Sequence, residues 1–274
     1  FLFLICLAAY FNSLHNDFIF EDKLLITENP YIKNPHLVGS IFKSDIFHFH
    51  PREPGGFNRY YRPLQALSYS LDYHIWGLNP AGFRVTNILL HALNSLMLFL
   101  LVYAVFKNNI LAFLSSLFFA LHPVHALNVA YISPRSVLLG VFFMLSSLLL
   151  SLKSMERSNK PRYLLYALSL FMLAVLSHES ALLAPLFILL CALFLRLGMK
   201  RAFLYLIPYL MLAAFYLWWR SSFIPCAKLD VLSAILPQKI LVFAYLAEKY
   251  FSQLIFPSGS MAIFFRDGLM QEQP

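Results

Sequence analysis

An all-α polytopic membrane protein is the fold class this 274-residue sequence predicts, and three observations predict it. Hydrophobic residues make up 60% of the chain and charged residues only 12%, whereas a soluble domain carries about 25% charged residues. The apolar runs have lengths near the roughly 20 residues that a helix needs to cross a bilayer. Short polar breaks separate them, a pattern that favours helices over the alternating strands of a barrel.

The chain opens on the apolar run FLFLICLAAYF. No small-residue cleavage pattern follows it and the next segments also span, so it reads as an uncleaved first helix rather than a signal-peptide core. With Phe1 in place of an initiator Met, the sequence is expected to be a fragment. Residues 13–82 then form one long polar and aromatic loop that contains most of the acidic residues. Apolar segments follow at about 83–106, 110–130, 136–152, 163–178, 180–197 and 202–219, which makes seven helices in a single transmembrane domain over 1–274. After Arg220 the stretch KILVFAYLAEKYFSQLIFP carries Glu248 and Lys249 mid-segment. It reads equally as an eighth span or as an interfacial or re-entrant helix, so 220–274 is an incomplete C-terminal part of open topology.

The formal charge of +8 would suggest a nucleic-acid partner in a soluble protein. Here the basic residues sit mainly at helix ends, which excludes nucleic acid as the reading and makes them topology markers. Lys107, then Lys153, Arg157, Lys160 and Arg162, then Arg196, Lys200 and Arg201 occupy alternate short breaks, and such breaks face the cytoplasm. The long first loop, the corner HPVHALNVAYISPRS (His122 to Ser136) and the turn LSHES (Leu176 to Ser180) share the opposite, extracytoplasmic side. Cys6, Cys191 and Cys226 show neither a disulfide framework nor zinc spacing.

The outer face gathers the chemically unusual residues. Glu21 and Asp22 stand side by side in FIFED, in a chain with only 13 acidic residues. They form either a solvated pair or, partly desolvated and mutually repelling, a pair in which one carboxyl is raised toward the range of a general base. Arg62 is fixed to an extended backbone by Pro63. Asn87, His91 and Asn94 recur on one helix face and read as helix-packing groups or as the lining of a wet cavity. His122 and His125 of HPVH are either two ligands of a divalent metal, given a third from elsewhere, or a helix-to-loop corner. His178 and Glu179 sit at the membrane edge, as a helix cap or as functional groups. Of the arginines at outer helix ends, Arg84 and Arg220 read as anchors that snorkel to headgroups, while Arg62 and Arg135 are placed to grip phosphate oxygens.

Four stretches carry a family resemblance: NDFIFEDKLLITENPYIKN, YRPLQALSYSLDYHIWGLNPAGFRVTNILLHALNSL, FALHPVHALNVAYISPR and LSHESALLAPL. Together they resemble the membrane core of the O-mannosyltransferases that carry tetratricopeptide repeats, and of their prokaryotic relatives, within the GT-C glycosyltransferases. The resemblance implies a GT-C helical bundle with a polyprenyl-phosphate sugar donor and an acidic catalytic pair in the first external loop, which falls on Glu21 and Asp22. It implies transfer of a sugar, mannose in the first instance, to a hydroxyl of a protein or glycan outside the cytoplasm. Substrate contacts are then expected from Arg62, His122, His125, Arg135, His178 and Glu179. The chain has Leu127 and Val137 where relatives carry further carboxylates, and it lacks the repeats. An inactive relative serving as a membrane scaffold therefore stays open beside the enzyme, as does a lipid or solute transporter.

Overall fold

The structure is a computed structural model that describes residues 1–49, 60–156, 161–196, 199–223, 244–245, 247–248 and 251–255. The chain divides into two units, Phe1–Pro225 and Cys226–Pro274. In the second unit the described residues are helical, and most of the stretch with two readings after Arg220 lies outside the described residues. The same holds for Arg157 and Lys160 of the fourth break.

Among its described residues the first unit is helical throughout its regular structure, and each apolar run read in it is helical, the 110–130 run being broken after Leu121 into two helices bent by 48°. The first helix of the unit is α1 (Leu2–Tyr10), which tightens into a 3₁₀ turn over Phe11–His15. Then come α2 (Pro30–Lys33), α3 (Val38–Ile41), α4 (Pro63–Trp76), α5 (Pro80–Phe106), α6 (Asn109–Leu121) and α7 (Ala126–Ala130). The set ends with α8 (Arg135–Glu156), α9 (Pro161–Ser177), α10 (Ala184–Phe194) and α11 (Met199–Ser221). Among the described residues three helices, α5, α8 and α11, are long and apolar enough to cross a membrane, and the bent pair α6 with α7 makes a fourth if counted as one span. The other apolar helices are shorter.

The starts of these helices follow from local chemistry. Asn29, Asn79 and Asn108 each accept a backbone N–H of the following turn on their side-chain oxygen, which satisfies one of the donors a helix start leaves unpaired. Pro80 and Pro30 occupy first-turn positions where the missing N–H costs nothing. Gly77, at φ +61°, lets the chain leave α4 and re-enter as α5 three residues later.

Helices α5 and α8 pack against each other; α1 and α6 add to α5, α9 and α10 to α8, and α11 to α9 and α10. Hydroxyls hold the second group together, since Tyr209 of α11 meets both Ser147 (2.9 Å) and Ser151 (2.7 Å) of α8, and Ser147 donates to the Ala167 carbonyl of α9. The polar stripe of α5 is buried and packs helices, as the first of its two readings had it. His91 bonds the Ala120 carbonyl, Asn94 the Leu138 carbonyl and Asn87 the Tyr131 carbonyl.

Within 13–82, expected as one long loop between spans, the described residues form short helices whose apolar side chains share a core with α5 and the corner before α8. Leu25, Ile26, Ile32, Ile41 and Phe47 bury against Ala66 and Tyr69 of α4, Phe83 of α5 and Ile132. The sequence conceals this because the helical pieces are too short to show a period, and only α4, with 14 residues, exceeds one turn or so.

Candidate active site

Arg62 is the centre of a cluster drawn from three distant parts of the chain. It stands before Pro63 at the start of α4, with φ −135° and ψ 62° rather than the fully extended backbone expected, and its guanidinium reaches Glu179 in the turn between α9 and α10. The contact is two-pronged: Nη2 donates to Oε1 at 2.8 Å and Nε to Oε2 at 3.3 Å. Nη1 donates to the Ser136 hydroxyl of α8 at 3.3 Å, the His178 ring lies 3.4 Å from Nη2, and the guanidinium stacks 4.2 Å over the Tyr60 ring. The turn carrying His178 and Glu179 comes close to α8 at Gly140, where an added Cβ would stand 2.9 Å from the Cβ of His178. Burial tends to raise the Glu179 carboxyl, but the Arg62 hydrogen bonds and charge outweigh it and hold the group below its usual range.

The acidic pair splits into two environments. Asp22 is fully buried: its Oδ1 accepts both the Ser133 amide (2.9 Å) and the Ser133 hydroxyl (2.6 Å), and its Oδ2 accepts the Ile19 amide (3.4 Å). Burial still pushes its carboxyl above the usual range, against the pull of those donors and of Arg84. Glu21 is on the surface, and only its backbone N–H is held, by the Tyr131 hydroxyl at 3.1 Å. Partial exclusion of water raises its carboxyl above 4.5, the neighbouring Asp22 adds to the rise, and the Arg62 charge opposes it. Of the two, Glu21 therefore has the accessible, raised carboxyl that proton abstraction requires, while the oxygens of Asp22 are occupied by donors. The Arg62 charge is felt at Glu21, while no hydrogen bond or ion pair links the acidic pair to the 62–136–178–179 cluster among the described residues.

The remaining candidate residues lie elsewhere. Arg135 is 0% exposed and committed inside the protein, where it pairs with Asp72 at 2.5 Å, donates to Asn87 and to the Phe83 carbonyl at 2.7 Å each, and stacks on Tyr69. Its expected grip on a phosphate does not fit this setting, because every edge of the guanidinium is turned to protein. Arg84 is likewise 0% exposed rather than an anchor in headgroups. It donates to the carbonyls of Asn16, Asp17 (2.7 Å) and Ala130 (3.0 Å), so it ties the first loop to the corner before α8. His122 caps the turn after α6 through its Nδ1 and the Val124 amide, and His125 packs against His91 and Phe119 in a separate aromatic group. Among the described residues no three His, Cys, Asp or Glu side chains form a group that would hold a metal ion.

Tyr60, Tyr131, Ser133 and Ser136 were not singled out in the sequence. Ser133 and Ser136 lie within the quoted AYISPRS, but nothing in a serine's neighbours reveals which charged side chain it will meet, Asp22 for the first and Arg62 for the second.

Comparison with known proteins adds the family likeness. Protein O-mannosyl-transferase TMTC3 of Homo sapiens is 31% identical over 168 residues, which is 61% of this chain and 18% of the relative. Protein O-mannosyl-transferase TMTC1 of Mus musculus is 33% identical over 186 residues, 64% of this chain and 20% of the relative. Protein O-mannosyl-transferase F38B6.6 of Caenorhabditis elegans is 31% identical over 159 residues, 56% of this chain and 23% of the relative. The chain thus spans about a fifth of the length of the curated relatives it matches. No family model matches the chain, and no solved structure does. Over about 60% of its length, this all-α membrane protein is similar to the protein O-mannosyl-transferases.

Proposed function

We propose that the protein is a membrane glycosyltransferase that moves a sugar, mannose by its likeness to the O-mannosyl-transferases, from a polyprenyl-phosphate donor to a hydroxyl of a protein or glycan. The observation that carries the reading is the surface carboxylate of Glu21 within the field of Arg62, whose guanidinium is braced by Glu179. A transferase of this kind needs a base for the acceptor and a cation for the departing phosphate, and these two residues supply them. The alternation of Lys and Arg between the short breaks supports an extracytoplasmic site.

In the reaction, the acceptor hydroxyl gives its proton to Glu21 as its oxygen attacks the anomeric carbon. The bond from that carbon to the phosphate oxygen breaks with inversion, and the lipid monophosphate leaves with the electron pair. Arg62 stabilises the growing negative charge, and Glu179 holds the guanidinium in orientation, as a charge-assisted, two-pronged contact does well. Asp22 fixes the turn that carries the base.

The test is transfer from polyprenyl-phosphate mannose to a Ser/Thr peptide by the purified protein in detergent or nanodiscs, with a panel of other polyprenyl-phosphate sugars beside it. Wild type should transfer, Glu21→Gln should lose about 10²–10⁴-fold of the rate while still folded, and Arg62→Lys should be impaired. No transfer from any donor, or near-normal turnover by Glu21→Gln, refutes the assignment.

A further inference from the structure

The backbone under Glu21 is held in an unfavourable shape by residues from another part of the chain. Phe20 has φ +44°, a left-handed conformation that an aromatic residue adopts only when its surroundings impose it. Three contacts do so. The Tyr131 hydroxyl accepts the Glu21 N–H at 3.1 Å, and the Tyr131 ring meets the Phe20 ring edge-on with centroids 6.4 Å apart. Ser133, two residues on, gives both its donors to Asp22. The 131–133 corner is itself fixed: Asn87 donates to the Tyr131 carbonyl (3.1 Å), Tyr69 to the Ile132 carbonyl (3.0 Å) and Gln65 to the Ser133 carbonyl (2.6 Å). A rigid corner therefore grips the turn on both sides of Glu21.

We propose that Tyr131, with Ser133 held on Asp22, is a positioning residue for Glu21: it pins the strained Phe20–Asp22 turn so that the Glu21 carboxylate is presented at the surface in a fixed place. Tyr131 acts through the backbone of the base and touches no reacting atom. This rests on Glu21 being the base of the transferase proposed above. A carboxylate on a freely moving turn would spend less time in line with the acceptor hydroxyl, and a misplacement of about 1 Å is enough to cost rate.

Tyr131→Phe tests the idea with little risk to folding, since it keeps the ring on Phe20 and removes only the oxygen. Two readouts are taken on the same purified protein. Hydrogen exchange of the peptide spanning Phe18 to Lys23 should show the Glu21 amide exchanging about tenfold faster, the expected loss for one neutral hydrogen bond. In the transfer assay kcat per folded molecule should fall about tenfold, while the KM for the lipid-phosphate donor stays at the wild-type value; a merely structural tyrosine would change the folded fraction and leave kcat alone. Unchanged exchange at Glu21 overturns the clamp, and faster exchange with an unchanged kcat overturns its positioning role. A wild type that exchanges slowly at Glu21 but transfers nothing refutes the transferase reading instead, and the clamp then stands or falls on the exchange result of Tyr131→Phe.

Discussion

Removing the Arg135 guanidinium should destabilise the fold rather than weaken the use of a donor. Arg135 begins α8, Asp72 lies in the last half of α4, and the pair closes at 2.5 Å with exposures of 0% and 4%. Arg135→Ala leaves the Asp72 carboxylate buried without its counter-ion and also strips donors from Asn87 and the Phe83 carbonyl. Breaking such a buried pair from one side costs about 3–5 kcal/mol. At roughly 2–4 °C per kcal/mol for a unit of this size, the unfolding midpoint should drop by about 6–20 °C. Arg135→Lys keeps the charge near Asp72 but cannot serve Asn87 and Phe83 together, so a smaller loss of about 1.5–3 kcal/mol is expected, the worth of one charge-assisted hydrogen bond. The assay is thermal unfolding in detergent, followed by intrinsic fluorescence and by recovery of the monodisperse peak in size exclusion. Asp72→Leu combined with Arg135→Met completes a double-mutant cycle and should restore most of the stability that either change alone loses, because neither charge is then stranded. A midpoint for Arg135→Ala within a degree or two of wild type, or a coupling near zero in the cycle, would refute this account and return Arg135 to the candidates for phosphate binding.

Two further expectations concern pH and topology. Because the Glu21 carboxyl is raised above 4.5 by partial burial and by Asp22, transfer should fall tenfold per pH unit below a midpoint that lies above 4.5. Stability should move the other way, since a carboxyl raised in the folded state favours folding once protonated: the contribution of Glu21 and Asp22 is present below their unfolded pKa and lost as pH rises through the folded one. An acid limb at or below 4.5 in the rate profile would exclude Glu21 as the titrating base. For topology, cysteines introduced at the exposed Lys43 and Lys153 should differ in intact cells, the first labelled by an impermeant thiol reagent and the second protected until lysis. Labelling of Lys153→Cys before lysis reverses the assignment of faces.

By itself the sequence determined the fold class and the position of nearly every apolar helix, because hydropathy and the 3.6-residue period are local properties, and the asparagine and proline starts mark where helices begin. It also set Glu21 and Asp22 apart, since two carboxylates in an apolar stretch of so basic a chain are visible without coordinates. Only the tertiary structure decided what each polar group does. Arg62, Arg84 and Arg135 look alike in sequence, each next to an apolar segment, yet one reaches Glu179 from a surface turn, one binds backbone carbonyls of the first loop and one is sealed against Asp72. The neighbours that separate them lie 46 to 117 residues away along the chain, and a side chain's role follows from which partner satisfies it once water is excluded. The same holds for the acidic pair: adjacent in sequence, the two side chains project differently, and Ser133, 111 residues on, turns Asp22 into a brace while Glu21 keeps its carboxylate at the surface.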